Sequence, residues 1–218
     1  ITLLLRKIYN INDKKSSTNI FLSAIIGSLA YTFSDSFWYN AVESEVYALA
    51  MFFLAATFWL GLRWEKDFDT ERGDRWLVLI SFMIGLSFGV HFMAILTIPA
   101  IGMIYFFKTY KKITIKNFLL ANIVSVSILL FIFKLLLPSA LGIFGQLEVF
   151  FVNSIGLPFN SGTIIAAVLV VLFFYKALNY SRKKGNVNLN TLILCTLFIF
   201  VGFSSWMMLP IRSNANTV

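Results

Sequence analysis

The sequence is poor in charge. Asp, Glu, Lys and Arg make up only 13% of its 218 residues, about half the share of a soluble domain. Apolar residues reach 59%, so the composition points away from a water-soluble globule and towards a chain solvated by lipid. Cysteine is scarcer still. Cys195 stands alone inside an apolar run, which excludes a disulfide within the chain and a cysteine metal site. His91 is the single histidine. No Walker loop, dinucleotide fingerprint, zinc spacing or nucleophile elbow occurs, so chemistry that draws directly on a cytosolic nucleotide is not expected. Neither an internal repeat nor a low-complexity tract nor a second domain is visible. The first residue is Ile1 and no signal peptide precedes the first apolar run, so the expectation is a fragment open at both ends.

What the sequence has in quantity is long apolar runs. A membrane helix needs about 20 mostly apolar residues. Spans are predicted at 19–38, 46–62, 76–90, 92–107, 118–137, 162–180 and 191–209, giving an all-α polytopic membrane protein of about seven helices. The stretch 76–107 is too long for one helix and short for two, and charge resolves it. Sixteen of the 18 basic residues fall in four groups: Arg6, Lys7, Lys14 and Lys15; Arg63, Lys66, Arg72 and Arg75; Lys108, Lys111, Lys112 and Lys116; Lys176, Arg182, Lys183 and Lys184. Cytoplasmic loops collect Lys and Arg, so all four groups are placed on that side. An even number of crossings must then separate them, and 76–107 becomes a short helical pair with His91 at its outer turn. The net charge of +8 does not signal nucleic acid, because the cations sit in short loops between apolar runs. Lys134 and Arg212 remain on the outer side with Asp35, Glu43, Glu45, His91 and Glu148, and function is expected there.

Four outer segments carry candidate chemistry. The first, 34–47, gathers Asp35, Glu43 and Glu45 beside Trp38 and Tyr39. A carboxylate here suits a general base or a metal ligand. Asn40 and Glu43 also have capping-box spacing. Glu45 lies about 200° round a helix from Glu43 and leads into an apolar span, which makes it the stronger functional candidate. Trp38 and Tyr39 read as interface anchors. The second, 85–91, spaces Gly85 and Gly89 for close helix packing and ends on His91, either a proton shuttle or phosphate contact or a hydrogen-bonded turn residue. The third, 138–161, reads as an outer loop. Its apolar portion 146–155 is expected to lie in the interface, as the wall of a lipid-access groove or as a plain connector. In the fourth, 206–216, Arg212 suits a bidentate phosphate contact or a snorkelling anchor. Lys134 invites the same two readings.

Together these segments resemble the membrane family known as domain of unknown function 2723. That family is grouped with glycosyltransferase family 117 and is similar to protein O-mannosyltransferases of the C-type fold. The matching stretches are 37–47 (Phe-Trp-Tyr-Asn-Ala-Val-Glu-Ser-Glu-Val-Tyr), 85–91 (Gly-Leu-Ser-Phe-Gly-Val-His), 152–162 (Val-Asn-Ser-Ile-Gly-Leu-Pro-Phe-Asn-Ser-Gly) and 209–216 (Leu-Pro-Ile-Arg-Ser-Asn-Ala-Asn). They run along nearly the whole chain in family order. The resemblance implies transfer of a sugar, mannose being the candidate, from a polyprenyl-phosphate-linked donor to a protein hydroxyl on the non-cytoplasmic face. It makes Glu45, Glu43 and Asp35 the catalytic candidates and His91, Arg212, Asn153, Asn160 and Lys134 the substrate-binding ones. No metal ligands are assigned, and no cofactor beyond the lipid-linked donor. The implied partners are that donor, a protein acceptor and the bilayer, without nucleic acid. The implied location is a bacterial inner membrane with a periplasmic active face. The family pattern also has an upstream span and an acidic first outer loop with no counterpart here, so only part of an active site is expected. The alternative is a transporter or flippase for a lipid-linked or anionic substrate. Such a protein places ionisable groups near the midplane beside broken helices of a repeated architecture, whereas the acids here gather at one face.

Overall fold

The computed structural model describes residues 1–9, 14–43, 46–70 and 73–215, with side chains described for all of these except 14–16 and 205–215. Glu45 and the side chain of Arg212 therefore lie outside the described residues. The described elements are all helical. They form two compact units, 1–49 and 50–218, each taken by itself below.

In the first unit a short helix α1 (Thr2–Tyr9) precedes α2 (Lys14–Thr32), and Arg6 donates to the Ser17 hydroxyl at 2.7 Å. The predicted span 19–38 is broken. α2 ends at Thr32, and α3 (Asp35–Val42) departs at 56°. The cause is local side-chain competition for the backbone. Ser28 and Thr32 donate back to the carbonyls of Ala24 and Ser28, and Ser34 then accepts the Phe37 N–H at 3.3 Å as the N-cap of α3. The expected Asn40–Glu43 capping box is not formed. Asn40 lies inside α3 and donates to the Ser36 carbonyl, while Glu43 occupies the C-cap.

The second unit takes in most of α4 (Tyr47–Lys66), then α5 (Gly73–Ser87). Asp67 in their connection accepts the Trp76 indole N–H at 2.8 Å. The stretch 76–107 divides where the glycine and histidine stand. The Ser87 carbonyl takes the N–H groups of both Val90 and His91, and His91 is extended (φ −164°) before a 3₁₀ turn, Phe92–Leu96, that leads into α6 (Thr97–Thr109). α5 has 15 residues, a rise of about 22 Å, and Phe92–Thr109 has 18.

The largest departure from expectation follows. The predicted loop 138–161 is mostly helix. α7 (Ile115–Leu130), a π turn (Phe131–Leu136), α8 (Leu137–Val149) and a second π turn (Phe150–Ser154) run on as one helical stretch of 40 residues. Pro138 does not end it, because the π turn before it rearranges the hydrogen-bond ladder where the proline lacks an N–H. A perpendicular helix crosses a core of about 30 Å in about 20 residues. Counted from Thr114, that length runs out at Lys134. The true connection is only the six residues before α9 (Ser161–Lys183), which a short turn joins to α10 (Val187–Ala215).

α5 packs most extensively on α10. Gly85 makes this possible. A Cβ there would collide with the Ile199 carbonyl, and one on Gly202 would collide with the Phe82 carbonyl. The expected packing pair Gly85 and Gly89 is thus replaced by Gly85 and Gly202, with Gly89 in the turn. At the other end of the same pair, Thr191 donates to Asp74 at 2.7 Å. Leu60, Trp64, Ile84, Ile101, Ile132 and Ile199 form the centre of the core. Five helices are long and apolar enough to cross a membrane, six if the bent pair α2–α3 is one span, and only 11–33% of each of the five spanning windows is buried. Lipid can solvate the rest, and Phe173 and Val171 of α9 lie 66% exposed.

Candidate functional site

In the second unit, the break before α6 and the π turn after α7 place their residues together. The His91 ring stacks on Phe92, with centroids 4.5 Å apart. Phe92 meets Phe133 at 5.3 Å, and the Lys134 ammonium lies 5.3 Å from the Phe133 ring. Two of the predicted substrate-binding residues are therefore joined through a pair of rings. His91 is half-buried and Lys134 exposed. Aromatic faces attract a cation, which holds the ammonium beside the ring. In the turn just before His91, Phe88 packs edge-on against Phe203 of α10 at 5.9 Å.

The same helices border an apolar cavity of about 530 Å³. Leu77 and Ile84 of α5, Ile98 of α6, Ile132 of the π turn, and Leu192 and Ile199 of α10 are among its walls. Ile132 of its wall precedes Phe133 and Lys134 in the chain, although the four cluster residues are not among the lining, and the cavity extends to Trp64 and Tyr105 near the lysine-rich end. Two of its hydroxyls are occupied within their own helices. Ser125 and Thr196 donate to carbonyls one turn back in their own helices, as hydroxyls in lipid-facing helices do. The lining thus suits hydrocarbon.

Asn160 has a different role from that predicted. It is the N-cap of α9 in the left-handed conformation (φ 72°), and its N–H donates to Glu148 at 2.6 Å. Glu148 also accepts the Thr163 N–H at 2.6 Å and its hydroxyl at 2.9 Å. The carboxylate is only 1% exposed and fills the free-donor end of a helix, where negative charge is stabilised. Gly162 lets α9 come this close, since a Cβ would collide with the backbone of Leu147 and Glu148. Sequence reading left this lock unassigned because acid and cap are twelve residues apart and meet only when the chain doubles back. Asn153 is exposed in the second π turn. In the first unit, Asp35 and Glu43 are exposed at the two ends of α3. The strongest predicted base, Glu45, and the Arg212 side chain lie outside the described residues. Among the described residues no three His, Cys, Asp or Glu side chains converge.

Helices of spanning length, lipid-facing apolar surfaces and no described strand define an all-α polytopic integral membrane protein. Residues 1–114 match the family described as the protein O-mannosyl-transferase TMEM260 N-terminal domain. The match covers more than half of the chain, and the chain belongs to that family. This bears out the O-mannosyltransferase resemblance and places the protein among glycosyltransferases that act with a sugar donor and a protein acceptor. Stretches 37–47 and 85–91 fall inside the matched region, while 152–162 and 209–216 fall beyond it. No curated protein and no solved structure matches the chain.

Proposed function

We propose that this domain binds a polyprenyl-phosphate sugar, mannose by the family's description, for transfer to a protein hydroxyl on the face opposite the lysine-rich loops. The observation that carries this reading is the His91–Phe92–Phe133–Lys134 cluster on a helical stretch whose preceding residue, Ile132, lines an apolar cavity. An isoprenoid tail needs a hydrocarbon-lined cavity, and its phosphate needs a cation where the hydrocarbon stops. In this reading Lys134 binds the phosphate from an exposed position and His91 flanks it. Arg212 adds a planar fork of donors. The acceptor hydroxyl must lose a proton as the sugar arrives, and of the acids in the first unit Glu45 is the proposed base, with Asp35 and Glu43 the further candidates. In a bacterial cell the active face is then periplasmic. Water exclusion by the bilayer strengthens each charge contact relative to bulk solvent.

Donor titration of the full-length enzyme tests the reading. Hydrogen bonds to charged groups contribute about 1.5–3 kcal/mol, so Lys134→Gln should weaken apparent donor affinity at least about tenfold. Shortening the isoprenoid tail to a soluble length should weaken it further in wild type. Unchanged donor affinity in both Lys134→Gln and His91→Gln enzymes would remove the cluster from the donor site.

A further inference from the structure

At the opposite ends of α6 and α7 from the donor cluster, a second groove lies beside a strongly basic loop. It has a volume of about 330 Å³ and is lined by residues including Gly102, Tyr105, Tyr110, Asn117, Leu120 and Ser125. Its depth comes from the close approach of the two helices. A Cβ on Gly102 would collide with the Ser125 side chain, and the Ser125 hydroxyl is bound to the Ala121 carbonyl. The walls are again almost wholly apolar. The stretch at its mouth, 108–116, covers the end of α6, the connecting loop and the start of α7 and carries Lys108, Lys111, Lys112 and Lys116, all exposed. Tyr110 and Asn117, which line the groove, sit among these lysines in the chain. No acidic residue occurs between Asp74 and Glu148, and among the described residues none of the four lysines has a carboxylate partner. α7 also begins here, with Thr114 capping the Asn117 N–H at 3.2 Å, so the helix dipole adds positive potential at the same point.

We propose that this groove is a binding site for an anionic glycerophospholipid of the leaflet on the lysine-rich side. Its acyl chain lies between α6 and α7, and its phosphate rests on Lys108, Lys111, Lys112 and Lys116. Charge complementarity selects the occupant. Four cations without a carboxylate partner among the described residues, at the end of a spanning helix, attract anionic headgroups by about fivefold per lysine near the surface, and the adjoining groove fixes a chain where free diffusion would not. A zwitterionic lipid satisfies the groove but not the loop. The groove shares Gly102, Tyr105, Ser125 and Ile128 with the wall of the larger cavity, but its basic mouth lies at the other end of the helix pair from the donor cluster and the proposal stands whether or not that reading holds.

The test is native mass spectrometry of the full-length protein released from nanodiscs of phosphatidylcholine and phosphatidylglycerol. Wild type should retain phosphatidylglycerol in preference to phosphatidylcholine. Replacing all four loop lysines by Gln should lower that preference about tenfold or more. Leu120→Trp fills the groove from its exposed rim and should reduce retention of both lipids. Replacing Arg182, Lys183 and Lys184 by Gln removes a comparable charge elsewhere and should leave the preference intact, which also controls for general surface charge. The proposal is overturned if wild type shows no preference, if the two sets of Gln replacements act alike, or if Leu120→Trp retains phosphatidylglycerol fully.

Discussion

Glu148 and Lys134 are both charged residues in one continuous helical stretch, and their surroundings are opposite. Glu148 is 1% exposed and meets three donors from the start of α9. Lys134 is exposed, lies against one aromatic face and has no carboxylate partner among the described residues. Every acceptor position the fold needs at Glu148 is already used within the chain, so that charge is committed to holding two helices. Among the described residues the Lys134 charge bridges no second helix, and it follows Ile132, a wall residue of the apolar cavity, by two positions. The difference teaches which of two similar sequence features is structural and which is available to a ligand.

Substitutions can break or sharpen this contrast. Glu148→Ala should have the largest effect on stability. It leaves two backbone N–H groups and one hydroxyl without an acceptor, at about 1 kcal/mol or more each, and should lower the thermal midpoint in detergent by roughly 6–12 °C. Glu148→Gln should fall between, since only one oxygen remains. A midpoint unchanged in the Ala variant would show that water replaces the carboxylate easily. Gly85→Ala comes next, because its methyl group meets the Ile199 carbonyl and overpacking costs about 1–3 kcal/mol. Gly142→Ala is its control. Nothing lies within 4 Å of a Cβ there, so it should be neutral or slightly stabilising. Thr191→Val removes one hydrogen bond to Asp74 and should cost about 1 kcal/mol, read as a small drop in the same midpoint. Lys134→Gln should leave the midpoint where it is while weakening donor binding. A marked loss of stability in that variant would make Lys134 a second structural charge and erase the contrast.

Much of the architecture was legible from composition and period. Low charge, long apolar runs and four basic groups pointed to an all-α polytopic membrane protein, and Gly89 with His91 marked the break between α5 and the helix that follows. Two local readings failed for identifiable reasons. The Asn40–Glu43 spacing fits a capping box, but Ser34 begins α3 six residues earlier and leaves Asn40 inside it. Pro138 reads as the end of a span, yet the π turn at Phe131–Leu136 carries the helix past it. A π turn has no simple sequence signature, because it depends on how the neighbouring helices hold the strained ladder.

The sequence by itself determined that the chain belongs in a membrane, because the cost of burying charge and unpaired backbone in lipid permits few other uses for such runs. Its residues also carried the likeness to O-mannosyltransferases. Only the tertiary structure decided which polar residues meet. It spent Glu148, Asn160 and Thr163 on a helix lock, and it joined His91 to Lys134 through Phe92 and Phe133, although 43 positions separate the two in the chain. The physical reason is that long-range contacts follow from helix packing. Gly85, Gly102 and Gly162 each allow a close approach whose partner lies far along the chain, and no local pattern around a glycine says which backbone will fill the space it leaves.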